Sequence, residues 1–306
     1  MARRRPKGRD VDGNLLLDKP IGMTSNAALQ TVKRLFKASK AGHTGNLDPL
    51  ATGLLPICFG EATKISTFLL DSDKRYIGTC KFGVRTSTAD TEGEILETRP
   101  VGEFSERQVR AVLEDFCGQI EQIPPMHSAV KVNGTPLYKL AREGKEIERK
   151  SRLVTIYEIN VLRLEGDELE IDLRCSKGTY VRTLAEDIGA ALGCGAHLSA
   201  LRRTASGPFQ LEHAVTLQEL EHLAESGFEA LDALLVPMEE ALSDWPMVSM
   251  SENTAYYLQQ GQAVQVPGAP TSGWVRLHRD DGKFLGIGQI LDDGRVAPKR
   301  LIKSPE

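Results

Sequence analysis

The sequence predicts an α+β protein: a mixed, mainly antiparallel sheet with flanking helices, followed by a small β-rich C-terminal module. Three observations point there. Strand-like and helix-like segments follow one another without the regular βαβ rhythm that demands a parallel sheet. Two alternating runs, 154–165 and 168–175, flank Gly166-Asp167, a hairpin signal because such a turn needs residues that tolerate positive φ. After Trp245-Pro246 an acidic helical stretch gives way to a second hairpin pattern.

Taken in order, residues 14–18 form a short apolar run closed by Lys19-Pro20 and read as a strand. Ser25 is expected to cap a helix in which Leu29, Val32, Leu35 and Phe36 recur at helical spacing. Strands are expected over 53–59 and 75–84, with a short helix over 63–70 between them. Ser105 and Gln108 have the spacing of a capping box, in which each side chain satisfies a backbone N–H of the other; the helix they open is expected to stop at Gly118. A helix over 181–192 ends at Gly193. Residues 216–244 carry amphipathic helices that close the main domain. Beyond them, 274–279, Asp281-Gly282 and 284–291 read as a hairpin followed by a last strand. The expected division is 10–245 for the main domain and 246–306 for the β module.

At 306 residues the chain has room for two such domains, and 41% hydrophobic residues allow a sizeable core. No run approaches the roughly 20 apolar residues of a membrane span. The basic start, Arg3-Arg4-Arg5-Pro6-Lys7, has no apolar stretch behind it, so a secretory signal is not expected and the cytoplasm is the expected compartment. The five cysteines (58, 80, 117, 175, 194) include no C-x-x-C pair, and the six histidines show no ligand spacing beside them. Neither a disulfide framework nor a structural metal is expected; the cysteines read as small buried residues. A net charge of −4 conceals an asymmetry: 210–244 holds nine acidic residues and no Lys or Arg, whereas the first 40 residues hold ten basic against three acidic. A basic face for phosphates is therefore available, though the same residues would equally suit a solvated helix surface.

The most informative stretch is Ala41-Gly42-His43-Thr44-Gly45-Asn46-Leu47-Asp48-Pro49-Leu50-Ala51-Thr52-Gly53. Glycines at 42, 45 and 53 permit backbone angles and close approaches that side chains forbid. Pro49 disfavours the helical region for Asp48. A carboxylate fixed in this way, with an ordinary pKa near ~3.9, suits a nucleophile or a base. Taken residue by residue, Asp-Pro in a Gly-rich loop is equally an ordinary turn whose aspartate bonds its own backbone. The length of the pattern favours chemistry. Almost residue for residue it resembles the signature loop of the TruB family of bacterial tRNA pseudouridine synthases, which isomerise uridine 55 of the T loop; Asn46 is a departure.

The resemblance runs from Asn14 to about Thr204 and, more weakly, to the C-terminus, which is similar to a PUA-like RNA-binding domain. It implies the pseudouridine synthase catalytic fold, base flipping, and Asp48 as the nucleophile, attacking either C6 of the uracil or C1′ of the ribose, with no metal or cofactor. Tyr76, in Asp71-Ser72-Asp73-Lys74-Arg75-Tyr76, matches the family's tyrosine against the target base, where a phenol can stack and its hydroxyl can transfer a proton at C5. In Cys175-Ser176-Lys177-Gly178-Thr179-Tyr180-Val181-Arg182-Thr183-Leu184, Arg182 is implied to pair with and aim Asp48, Tyr180 to lie beside the base and Lys177 to face phosphate. His43 is implied to fill space near the flipped nucleotide. Leu201 is implied to wall a pocket that replaces lost stacking, with Arg202 and Arg203 near the strand edge. Lys19 and Pro20, in a matching motif over 17–25, are implied to support the loop. The stretch 123–131, with Gly134 and Tyr138, matches the lead into an RNA-gripping insertion near 124–152, in which Lys131 contacts phosphate.

The expected partner is thus the T stem-loop of tRNA, with no membrane, no obligatory protein partner and a monomeric chain. Two other readings exist. A tRNA-folding protein that opens the T loop would use the same basic segment and tail. A glycoside hydrolase needs two carboxylates flanking one bond, and no acid partner for Asp48 sits in a recognisable motif.

Overall fold

The computed structural model describes residues 8–303 apart from 129 and 133, with the side chain of Arg142 also excepted. The basic start at 3–7, Ala129 of the insertion motif and residues 304–306 of the C-terminal module lie outside the described residues.

Ten strands form one sheet. Its order is Val215–Thr216, Gly13–Lys19, Thr52–Phe59, Ala196–Ser206, Lys74–Phe82, Glu168–Cys175, Arg152–Glu165, Gly118–Gln122. Ala41–His43 pairs off this path with Thr52–Phe59, and Phe209–Gln210 with Ala196–Ser206. Only two neighbouring pairs are parallel, Gly13–Lys19 with Val215–Thr216 and Thr52–Phe59 with Ala196–Ser206. The sheet is therefore mixed and mainly antiparallel, as the sequence predicts.

Alternation explains its packing. Leu15, Leu17, Leu55, Ile57 and Phe59 join Leu29 and Val32 of helix Ser25–Leu35, and Phe36 at its C-terminal cap, in one core, while the intervening Leu16, Leu54 and Cys58 enter another. Successive side chains on a strand point to opposite faces, so one run of apolar residues feeds two cores. A third core sets Leu169, Ile171 and Leu173 against Val181, Leu184 and Ile188 of helix Val181–Ala191. Tyr76 and Leu201 pack against both the first and the third core, and so mark the seam between them.

Several local expectations are corrected. The cap of helix Ser25–Leu35 is Thr24, whose side chain accepts from the Ala27 N–H. Ser25 is instead turned inward, where its Oγ accepts from the Leu47 N–H at 2.7 Å and ties the helix to the Asp48 loop. The Ser105–Gln108 capping box forms, but its helix spans Glu106–Glu114 and stops before Gly118, which opens a strand. Residues 63–70 divide into a 3-10 turn, Gly60–Lys64, and helix Ser66–Leu70. Cys117 is exposed, whereas the other four cysteines are buried; all five are free thiols. Strand Ala196–Ser206 is not announced by periodicity, because polar residues interrupt its alternation; only the family resemblance puts a strand at Arg202 and Arg203.

The C-terminal residues form a second, four-stranded sheet of Met247–Met250, Trp274–Arg279, Phe284–Ile290 and Val296–Leu301. It has its own core around Val248, Leu258, Val275 and Leu277. It is also bonded to the main body. Ile287 and Phe284 share a core with Leu54, Ile65 and Trp245, and Lys64 Nζ donates to the Leu301 carbonyl at 2.9 Å. Among the described residues no helix is long and apolar enough to cross a membrane.

Candidate active site

The Asp48 loop connects strand Ala41–His43 to strand Thr52–Phe59. Two of its three glycines are in the left-handed region, Gly45 at φ 115° and Gly53 at φ 97°. Gly42 lies within a strand and uses no such freedom, which corrects the expectation for that residue. At Gly53 the demand is steric as well, since an added Cβ would sit 2.3 Å from the Arg203 carbonyl oxygen. The loop is clamped from both sides: the Gly22 N–H donates to the Pro49 carbonyl at 2.8 Å, and the Ala51 N–H to that of Asp48 at 3.0 Å.

Arg182, the second residue of helix Val181–Ala191, reaches Asp48 with an Nη2–Oδ2 distance of 3.0 Å. Its side chain is 6% exposed, against 44% for Asp48. The difference matters, because the guanidinium is fixed within the protein while the carboxylate faces open space. Arg182 also donates to the Thr88 carbonyl at 3.1 Å and the His127 carbonyl at 2.8 Å, and lies 3.6 Å from the buried Asp90 carboxylate. Partial burial pushes the Asp48 carboxyl above its ordinary pKa, Arg182 pulls it back, and Asp90 adds to the rise. The start of this helix is held by Gln122, whose side chain accepts from the Tyr180 N–H at 3.0 Å.

Sheet register delivers the other groups. Tyr76 is the cross-strand partner of Arg203, and Gly78 that of Leu201; opposite residues on antiparallel strands share a face. Tyr76 and Leu201 are half-buried, and a Cβ on Gly78 would lie 3.5 Å from the Leu201 side chain, so Leu201 spreads over a glycine. Burial raises the Tyr76 phenol above its ordinary pKa, with Arg203 the main counterweight; the Asp48 charge is also felt there. Arg203 is 1% exposed and sits in a central strand, not near an edge. His43 is held below its ordinary pKa by burial and by Arg203.

Lys19 is fully buried and donates to the Pro20 and Met23 carbonyls at 2.9 and 2.6 Å. Burial lowers its pKa to about 8, with Asp48 opposing the fall. It thus braces the turn that holds Pro49. Tyr180 is half-buried at the helix start. Lys177 stands at the rim, exposed and paired with Asp71 at 2.8 Å. Lys131 is exposed on a short strand of the insertion. The structure therefore brings Asp48, Arg182, Tyr76, Leu201, His43 and Lys19 into one neighbourhood through ion pairing, strand register and shared electrostatics, and leaves Lys177 and Lys131 exposed to solvent.

Sequence reasoning missed Asp90, Thr88, Gln122 and the burial of Arg203. The Ser87-Thr88-Ala89-Asp90 turn carries no recognisable spacing, and only the fold brings it to Arg182. Among the described residues no group of three or more His, Cys, Asp or Glu is placed to hold a metal ion.

Comparison with known proteins places the chain in a family. Residues 33–181 match the family model for the N-terminal domain of TruB family pseudouridylate synthases, 182–243 that for the tRNA pseudouridylate synthase B C-terminal domain, and 246–302 that for the C-terminal part of pseudouridine synthase II TruB. The chain is 58% identical to tRNA pseudouridine synthase B of Nitrosococcus oceani, covering 98% of each chain. It is 56% identical to that of Stutzerimonas stutzeri, covering 99% of this chain and 100% of the relative. A solved chain from a Cbf5-Nop10-Gar1 complex superposes with a TM-score of 0.73 at 27% identity, covering 96% of this chain and 84% of its own. One from an H/ACA RNP bound to a substrate RNA gives 0.75 at 25% identity, covering 99% and 92%. An oriented aspartate at the seam of such a sheet, with family models matching both halves of the sequence, leads to one conclusion: the chain belongs to the TruB family of pseudouridylate synthases.

Proposed function

We propose that this chain isomerises uridine 55 in the T loop of tRNA to pseudouridine, by base flipping and nucleophilic attack of Asp48 without a cofactor. The observation that carries the reading is the half-open Asp48 carboxylate, held 3.0 Å from a buried Arg182. Pseudouridine formation breaks the N1–C1′ bond, turns the uracil and rejoins it through C5, and an aimed carboxylate suits the covalent step. Arg182 keeps it ionised and oriented. Tyr76 stacks on the base and takes part in proton transfer at C5; Leu201, Tyr180 and the ring of His43 line the pocket that replaces the stacking lost on flipping. Lys19 supports the loop, and Lys177 exchanges Asp71 for phosphate. Residues 10–245 act as the catalytic domain, the insertion near 124–152 grips the RNA, and 246–306 serve as a PUA-like RNA-binding domain. The enzyme works in the cytoplasm as a monomer with no obligatory protein partner.

The test is positional. Unmodified tRNA is incubated with the protein, treated with a carbodiimide that marks pseudouridine, and read by primer extension. A new stop one nucleotide 3′ of position 55, absent when that base is cytidine, is expected. Stops elsewhere, or none, would refute the assignment.

A further inference from the structure

Arg203 is among the largest fully buried side chains of the described residues, yet no carboxylate among them pairs with it. Its Nε donates to the Leu54 carbonyl at 2.7 Å, its Nη2 is buried without a partner, and its Nη1 lies under Gly45 of the Asp48 loop. Burying a guanidinium with no carboxylate partner is unfavourable, and replacing such a buried charge by an apolar side chain of similar volume is often neutral or stabilising for the fold alone. Something other than stability retains it.

Its surroundings say what. Strand register sets Arg203 directly opposite Tyr76, with Gly53 on its other side. Tyr76, His43, Lys19 and Lys74 all feel its charge, and of these only Tyr76 becomes negative on losing a proton. A phenol that is to accept a proton must first exist as phenolate, a form that burial disfavours and a fixed cation favours.

We propose that Arg203 is a positioning residue acting through Tyr76: its buried guanidinium, which no carboxylate neutralises, holds the phenol oxygen against the uracil and stabilises negative charge on it during removal of the C5 proton. This rests on the Tyr76 role given above. In the step, the C5–H bond of the C5-linked base breaks and its proton joins the phenolate oxygen. The electron pair forms the C5=C6 double bond. It displaces either the Asp48 oxygen from C6 or the C6=N1 pair onto N1, which water protonates. The phenol then returns its proton to water.

The test measures single-turnover rates on tRNA, tRNA affinity and thermal unfolding for Arg203→Met, Arg203→Lys, Tyr76→Phe and the double variant Arg203→Met with Tyr76→Phe. Arg203→Met is expected to lower the rate by roughly 100-fold, to leave affinity within about threefold and to unfold no earlier than the parent. The rising limb of its rate–pH profile should move to higher pH, because the phenol loses its counterweight. Arg203→Lys keeps the charge and should keep the limb in place; it carries the test if the methionine variant does not fold. In the Tyr76→Phe background the methionine substitution should cost less than about twofold, since residues acting as one unit are not additive. An equal loss in both backgrounds with an unmoved profile would overturn the proposal while leaving the Tyr76 role intact. A Tyr76→Phe variant with the parental rate would overturn that role and this proposal together.

Discussion

At the scale of single residues, Asp48 and Arg182 divide labour by exposure: the carboxylate is open to substrate, and the guanidinium is locked between it, two carbonyls and Asp90. Lysine cannot reproduce that set, because its single ammonium lacks the planar fork. Arg182→Lys is expected to lower kcat by about 10²-fold or more, the scale seen when one preorganised electrostatic partner is lost. Its tRNA affinity should stay within a few-fold, measured by filter binding beside the rate; a matching loss of affinity would mean that Arg182 holds RNA instead. Both residues were legible in the sequence because each lies in a long motif. Asp90 was not, since its place beside Arg182 depends on a fold that brings positions 94 to 92 residues apart in sequence into one contact set. Arg203 was visible as a residue but read as peripheral, because nothing in Leu201-Arg202-Arg203-Thr204 tells which arginine turns inward. In the structure Arg202 pairs with Asp18 and stays half-exposed, while Arg203 is buried.

At the scale of elements, the site depends on strands approaching closely at Gly53. Gly53→Ala would force a Cβ against the Arg203 carbonyl and into a left-handed backbone. It should destabilise the fold by more than about 1 kcal/mol, read by urea unfolding; an unchanged midpoint would show that the two strands can separate there. Buried lysines give a second test. Lys74 donates to the Leu69 and Leu70 carbonyls, and burial, with Arg203 adding, lowers its pKa to about 8 from 10.5. Between those values the unfolded chain binds a proton that the folded chain does not, so this group makes stability rise with pH across the window. Relative to Lys74→Met, the parent should therefore gain unfolding free energy between pH 8 and 10.5; a constant difference would contradict the shift. Most elements were legible because their local signals are clean: an apolar run at 14–18, alternation at 168–175 and the capping spacing of Ser105 and Gln108. Strand Ala196–Ser206 was not, since the buried polar groups of His197, Arg203 and Ser206 occupy inward positions and erase the alternation that normally announces a half-buried strand.

At the scale of the molecule, the C-terminal sheet shares a core with the main body through Phe284, Ile287 and Trp245. Ending the chain at residue 245 should uncover Leu54 and Ile65 and lower the melting temperature of what remains, measured by calorimetry. A remainder that melts at the parental temperature would make the seam incidental. The central claim concerns Asp48, and tritium release from tRNA labelled at C5 of its uridines tests it most directly. The account predicts release by the parent and none by Asp48→Asn, with tRNA binding retained by the variant. Release by Asp48→Asn at the parental rate, or none by the parent, would contradict it.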